Sequence, residues 1–166
     1  MPDGTPQYAG NEEHIREHIA AGADLNAVTR DGWTAVFCCC RQGLPHCLSV
    51  LLAAGADMNR PARGGFTPIY SAAQAGNTRC IQLLISSNAD VNQQNNSGAC
   101  PLYIAAAKGH LTAVSVLLEA GALLHLETQS GYSVAHAAAH TGCEKVLRML
   151  YKVFLVFPRC SHSLFR

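Results

Sequence analysis

A chain of 166 residues with 49% apolar and 14% charged residues can bury a continuous core within a single domain, and no apolar run in it is long enough to span a bilayer. The formal net charge of +1 excludes a global electrostatic pull toward nucleic acid or a membrane surface. Eight cysteines behind a polar Met1–Pro6 start with no signal-peptide core point to a reducing, intracellular setting, cytoplasmic or nuclear, and away from a disulfide scaffold.

Two ladders of glycine organise the chain. Gly10, Gly43, Gly76, Gly109 and Gly142 are spaced by 33, and so are Gly32, Gly65, Gly98 and Gly131. A unit of this length cannot bury its own apolar face, so it stacks on its neighbours as an elongated solenoid. Residues 1–30 read as a stunted capping unit. Asp3-Gly4-Thr5-Pro6 imitates a repeat opening, but Gly10 comes too early for a full first helix. A helix is predicted over about Asn11–Ala20, closed by Gly22-Ala23-Asp24. The acids Glu12, Glu13, Glu17, Asp24 and Asp31 make this end acidic, whereas only Lys145, Arg148, Lys152, Arg159 and Arg166 carry charge after Glu144. Solvated ends account for both.

Full repeats are expected at 31–63, 64–96 and 97–129, with a partial one at 130–152. Each opens with a turn, at Asp31-Gly32, Gly64-Gly65, Ser97-Gly98 and Ser130-Gly131. Thr34, Thr67 and Ser133 then stand where a hydroxyl caps a helix, and Pro68 and Pro101 follow at the first helical position. Cys100 replaces the hydroxyl in the third repeat and predicts a weaker cap. The first helix is rich in alanine, as in Ala105-Ala106-Ala107, and ends at the first glycine ladder, at Gly43, Gly76, Gly109 and Gly142. The second helix carries aliphatics on one face: Leu48, Leu51 and Leu52, then Ile81, Leu84 and Ile85, then Val114, Leu117 and Leu118. Gly55, Asn88 and Gly121 close it. After Lys152 no such closure appears. The apolar and basic tail 153–166 either folds over the open end of the stack or belongs to a truncated or alternatively ended form of a longer array. Exposed, its Val153–Phe157 run would associate, and otherwise the chain reads as a monomer.

The segments Gly-Phe-Thr-Pro-Ile-Tyr-Ser-Ala-Ala-Gln-Ala-Gly-Asn (65–77), Ala-Ala-Gly-Ala-Asp-Met-Asn (53–59), Pro-Leu-Tyr-Ile-Ala-Ala-Ala-Lys-Gly-His (101–110) and Val-Ser-Val-Leu-Leu-Glu-Ala-Gly-Ala (114–122) resemble the ankyrin repeat family. The resemblance covers about residues 11–152. It implies an all-α solenoid of stacked antiparallel helix pairs joined by β-hairpin-like fingers, and a role in binding another protein. It also implies that fingertips and the exposed ends of the first helices line a concave face. Those positions hold Arg30, Asp31, Trp33, Arg41 and Gln42; Arg63, Phe66 and Gln74; Asn96, Ala99 and Lys108; then Gln129, Tyr132 and His140. Trp33, Phe66 and Tyr132 share one repeat position, and aromatic rings beside arginines have the chemistry of binding hot spots. The competing reading packs these rings on adjacent fingers. Where the family's motif has histidine, this chain has Phe37, Tyr70 and Tyr103, read as packing, and His136. Asn59 and Asn92 sit where such arrays can be hydroxylated; a hydrogen-bonded turn is the simpler role.

The function expected is a non-catalytic scaffold or adaptor that holds a protein partner, with no cofactor. Cys38-Cys39-Cys40 with Cys47 raises the alternative of a redox or metal sensor. Consecutive helical residues point about 100° apart, however, so the triplet cannot converge on one ion, and buried cysteine packs as a small hydrophobe. Cys160 is the candidate for redox reactivity. His14 with His18, and His136 with His140, are each four apart but lack a third ligand nearby. A binding segment of a larger ankyrin-containing enzyme or channel is the remaining alternative.

Overall fold

The structure, a computed structural model, describes residues 12–156, with side chains through 153. The Asp3–Pro6 opening, Gly10, Phe157 and Cys160 lie outside the described residues. Helices α1 (Glu12–Ala20), α2 (Ala35–Gln42), α3 (Pro45–Ala53), α4 (Pro68–Ala75), α5 (Thr78–Ser86), α6 (Pro101–Ala107), α7 (Leu111–Glu119), α8 (Val134–His140) and α9 (Glu144–Val156) follow one another along the chain. They form two rows. α2, α4, α6 and α8 pack in sequence as an inner row, and α1, α3, α5, α7 and α9 as an outer one. Among the described residues there is no strand, only an isolated bridge between Glu127 and Ser133.

Local chemistry starts each inner helix. Thr34 Oγ1 accepts the amide of Phe37 at 3.1 Å, and Thr67 Oγ1 that of Tyr70 at 3.3 Å. Ser133 Oγ accepts from the His136 amide at 3.5 Å, while His136 Nδ1 accepts the Ser133 N–H at 3.1 Å. Cys100 Sγ takes the same place, 3.4 Å from the Tyr103 amide, with sulfur a poorer acceptor than oxygen.

Between the rows lies one apolar core in which Leu48, Ile81, Leu84, Leu102, Val114 and Leu117 are fully buried. Each such side chain contributes about 1.5–3 kcal/mol relative to exposure. Alanines at 72, 73, 105 and 106 lie in the same core with no exposed surface, which lets adjacent inner helices approach closely. Cys39, Cys40, Cys47, Cys80 and Cys100 join it as small hydrophobes. The last helix runs through Val156, past the 152 boundary read from the sequence. No glycine or asparagine stands where Gly55, Asn88 and Gly121 end the earlier outer helices, so nothing stops it there.

Polar ties knit neighbouring repeats on both edges. On the outer edge Asn26 Oδ1 accepts the Asp57 amide at 2.8 Å, Asn59 Oδ1 that of Asp90 at 3.1 Å, and Asn92 Oδ1 that of Leu123 at 2.8 Å. Asn59 and Asn92 are thus members of a hydrogen-bonded ladder. Between inner helices, Asn77 Nδ2 donates to the Cys40 carbonyl at 2.8 Å, and His110 Nε2 donates to that of Gln74 at 3.2 Å.

Candidate protein-docking face

Four fingers precede the inner helices, and each is closed by two backbone bonds. The amide of Thr29 donates to Trp33 O, Ala62 to Phe66 O, Asn95 to Ala99 O and Thr128 to Tyr132 O, all within 2.8–3.0 Å. Side chains reinforce three of them. Thr29 Oγ1 accepts from Trp33 N, Thr128 Oγ1 from Tyr132 N, and the buried Asn95 Oδ1 from Ser97 N and Ala99 N. Ala62 has no such acceptor in the second finger. There Gly64 adopts φ +81°, and the Phe66 ring lies so close that a Cβ on Gly64 would come within 2.7 Å of it.

The fingers are also bonded to one another. Arg63 N donates to Asp31 O at 3.1 Å, Asn96 N to Gly64 O at 2.9 Å, and Gln129 N to Ser97 O at 2.9 Å. Gln129 Nε2 adds a bond to Asn96 O at 2.8 Å, and Gln94 Nε2 bridges to Glu127 O at 3.0 Å. The finger row is therefore a hydrogen-bonded frame, and its side chains project from fixed backbone.

The ring contacts of the finger aromatics run within their own repeats. Each packs on the inner helix of its own repeat, four residues on. Trp33 stacks on Phe37 with centroids 5.7 Å apart, Phe66 tilts against Tyr70 at 5.2 Å, and Tyr132 meets the edge of His136 at 6.0 Å. Phe37 and Tyr70 are buried and form the floor. Phe66 and Tyr132 keep 37% and 54% of their surface in solvent, so their outer faces are available. Arg41 lies over Trp33 with its guanidinium carbon 4.4 Å from the ring centroid. In the third finger Ala99 is buried, which leaves a gap in the row.

Two recesses result. One of about 420 Å³, between the first two fingers and α2 and α4, brings together Asp31, Trp33, Arg41, Arg63, Phe66 and Gln74. The other, of about 270 Å³, holds Tyr132 and His140 beside Tyr103. Arg30, Gln42, Asn96, Lys108 and Gln129 are exposed but line neither. Ser71 in the first recess and Thr141 in the second carry no sequence signal of this placement, because each faces its recess only once two repeats are in register. A third recess of about 260 Å³ beside α1 is walled by Ile15, Ile19, Leu25 and Leu51, away from the fingers.

The thiols are placed differently. Burial pushes Cys39 up to about 12 and Cys40 well above the ordinary thiol value of 9.0. Cys38 is also raised by burial, against the opposing field of Arg41. Such thiols are protonated and inert at neutral pH. Among the described residues, no three His, Cys, Asp or Glu side chains are grouped to hold a metal ion. The His18 Nδ1–H bonds to the His14 carbonyl at 2.8 Å, and His136 belongs to its helix cap.

The family model described as ankyrin repeats in three copies matches residues 7–95 and again 87–155. A search of the curated proteins returns no match. Ankyrin repeats are in general protein-interaction modules and typically lack catalysis of their own, and among the described residues no helix is long and apolar enough to cross a membrane. With capped inner helices, bonded fingers and a family match over nearly its whole length, the chain belongs to the ankyrin-repeat family.

Proposed function

We propose that this array is a non-catalytic adaptor or scaffold that holds a protein partner against the concave face made by its fingers and inner helices. The observation that carries the reading is the set Trp33, Phe66 and Tyr132: rings anchored on buried or capped neighbours, partly open to solvent, on a backbone tied finger to finger. Rings held this way lose little conformational entropy on binding, and arginine beside them adds charge recognition. The candidate contacts are Arg30, Asp31, Trp33, Arg41, Gln42, Arg63, Phe66, Gln74, Asn96, Lys108, Gln129, Tyr132 and His140. The reading is the same whether the array acts alone or within a longer chain. Burial of Cys38, Cys39, Cys40 and Cys47 weighs against a thiol sensor in the repeats.

Affinity capture with the full chain tests it. Wild type and an outer-surface control, Ser49→Ala with Gln82→Ala, are expected to retain the same partner. W33A/F66A/Y132A is expected to lose that partner while still melting in one cooperative transition, lowered by about 6–12 °C for three ring pairs of about 1 kcal/mol each. Undiminished capture by the triple variant would place docking elsewhere.

A further inference from the structure

We infer that the recess between the first two fingers receives a carboxylate side chain, Asp or Glu, carried on an exposed segment of the protein partner. The inference rests on the reading of the finger and inner-helix face as the docking surface, and adds the chemistry of what enters it. Trp33 and Phe66 wall the recess, Arg41 and Arg63 supply two positive charges, and Asp31 supplies one negative charge at the fingertip.

Among the described residues, Asp31 is the one acidic side chain that lines the recess with the two guanidinium groups. The ion pairs among the described residues are Glu12 with Arg16 and Glu144 with Arg148, both far along the chain from the recess. The inner helices α2, α4, α6 and α8 contain no acidic residue at all. Asp57 and Asp90 are turned to the opposite edge, where their carboxylates accept the amides of Asn59 and Asn92 at 2.9 Å. Arg41 is already held over Trp33, so its donors are offered to a ligand with part of the ordering cost met in the free protein. Flanking rings lower the local dielectric and strengthen a charged hydrogen bond formed between them.

Charge also selects the anion. Two arginines and one aspartate leave one net positive charge, which matches a carboxylate. A phosphorylated side chain brings about −1.5 to −2 and places the excess against Asp31.

The test uses a random peptide library displayed on phage, selected on the full chain, on R41Q/R63Q and on W33A/F66A. Arg41 and Arg63 are exposed and engage no side-chain hydrogen bond, and only the contact of Arg41 over Trp33 is lost, so R41Q/R63Q is expected to melt within a few degrees of the wild type. Peptides enriched on wild type should carry Asp or Glu above the library frequency. Changing that acid to its amide should lower affinity about tenfold. R41Q/R63Q should lower it as much, and the two changes together should lower it no further. Peptides that require Trp33 and Phe66 but ignore Arg41 and Arg63 overturn the inference and leave the docking face standing. A phosphoserine in place of the acid that binds more tightly overturns it too. Peptides indifferent to W33A/F66A, or no enrichment at all, overturn the docking face itself.

Discussion

Arg41 sits 4.4 Å above the ring of Trp33, and through that ring the end of α2 is tied to the finger that precedes it. Trp33 in turn stacks on Phe37, which is buried. The outer ring of this sandwich belongs to the surface and the inner ring to the core, although they stand four residues apart. Trp33→Ala should therefore cost about 1 kcal/mol of stability, the value of a stacked pair, and abolish partner capture. Phe37→Ala should cost about 3–5 kcal/mol as a core truncation. Urea denaturation of the two variants checks this. Equal losses would assign Trp33 to packing.

Asn77 is the strut between the first two inner helices. Removing its amide leaves the Cys40 carbonyl without that donor, so Asn77→Ala should cost about 1–2 kcal/mol by urea denaturation. Asn77→Asp should cost at least as much, since a carboxylate cannot donate to the carbonyl. An unchanged midpoint in both would mean that the strut carries no energy.

Two glycines separate close approach from backbone strain. Gly98 has φ +81°, and a Cβ there would lie 2.8 Å from the Gln129 nitrogen and 2.9 Å from the Thr128 Cα. Gly121 has φ +86° but nothing within 4 Å. Gly121→Ala should lose only the left-handed penalty of about 1–2 kcal/mol. Gly98→Ala should lose more, and should break the bond from Gln129 N to Ser97 O. Thermal melts, with amide exchange at Gln129, distinguish the two.

The buried thiols of Cys38, Cys39, Cys40, Cys80 and Cys100 make stability depend on pH at the alkaline end. Their native pKa is raised above the unfolded value, so the native state holds protons that the unfolded chain releases. The stabilisation is complete below about pH 9 and is lost as pH rises toward about 12, the value to which Cys39 is pushed. Denaturation midpoints should fall across that window and fall less in Cys39→Ala when each is referenced to its own pH 8 value. Iodoacetamide at pH 8, followed by peptide mapping, should label the half-buried Cys143 well before Cys40. Comparable rates would contradict the burial.

Much of this was legible in residue spacing. Thr34, Thr67 and Ser133 announce helix starts because hydroxyl capping is a local interaction, and the aliphatic triplets Leu48-Leu51-Leu52 and Ile81-Leu84-Ile85 announce the outer helices by their period. The length of α9 was not legible. The repeat pattern gives way after Lys152, where Phe154-Leu155-Val156 stands in place of Gly-Ala-Asp, and with no closing residue there the helix continues to Val156. The recess was half legible. Trp33, Phe66 and Arg41 occupy recognisable positions, but that Arg41 lies on Trp33, and that Arg63 shares their recess, depends on how one repeat seats on the next. The struts at Asn77 and His110 reach back 37 and 36 residues, a relation that local pattern does not encode.

The central claim is that the fingers form a rigid frame, and amide exchange followed by NMR tests it most directly. The amides of Arg63, Asn96 and Gln129, each donating to the preceding finger, should be protected by a factor well above those of Gly64 and Ser130, which make no backbone bond. Exchange of all five at the rate of an open chain would contradict a preorganised docking face.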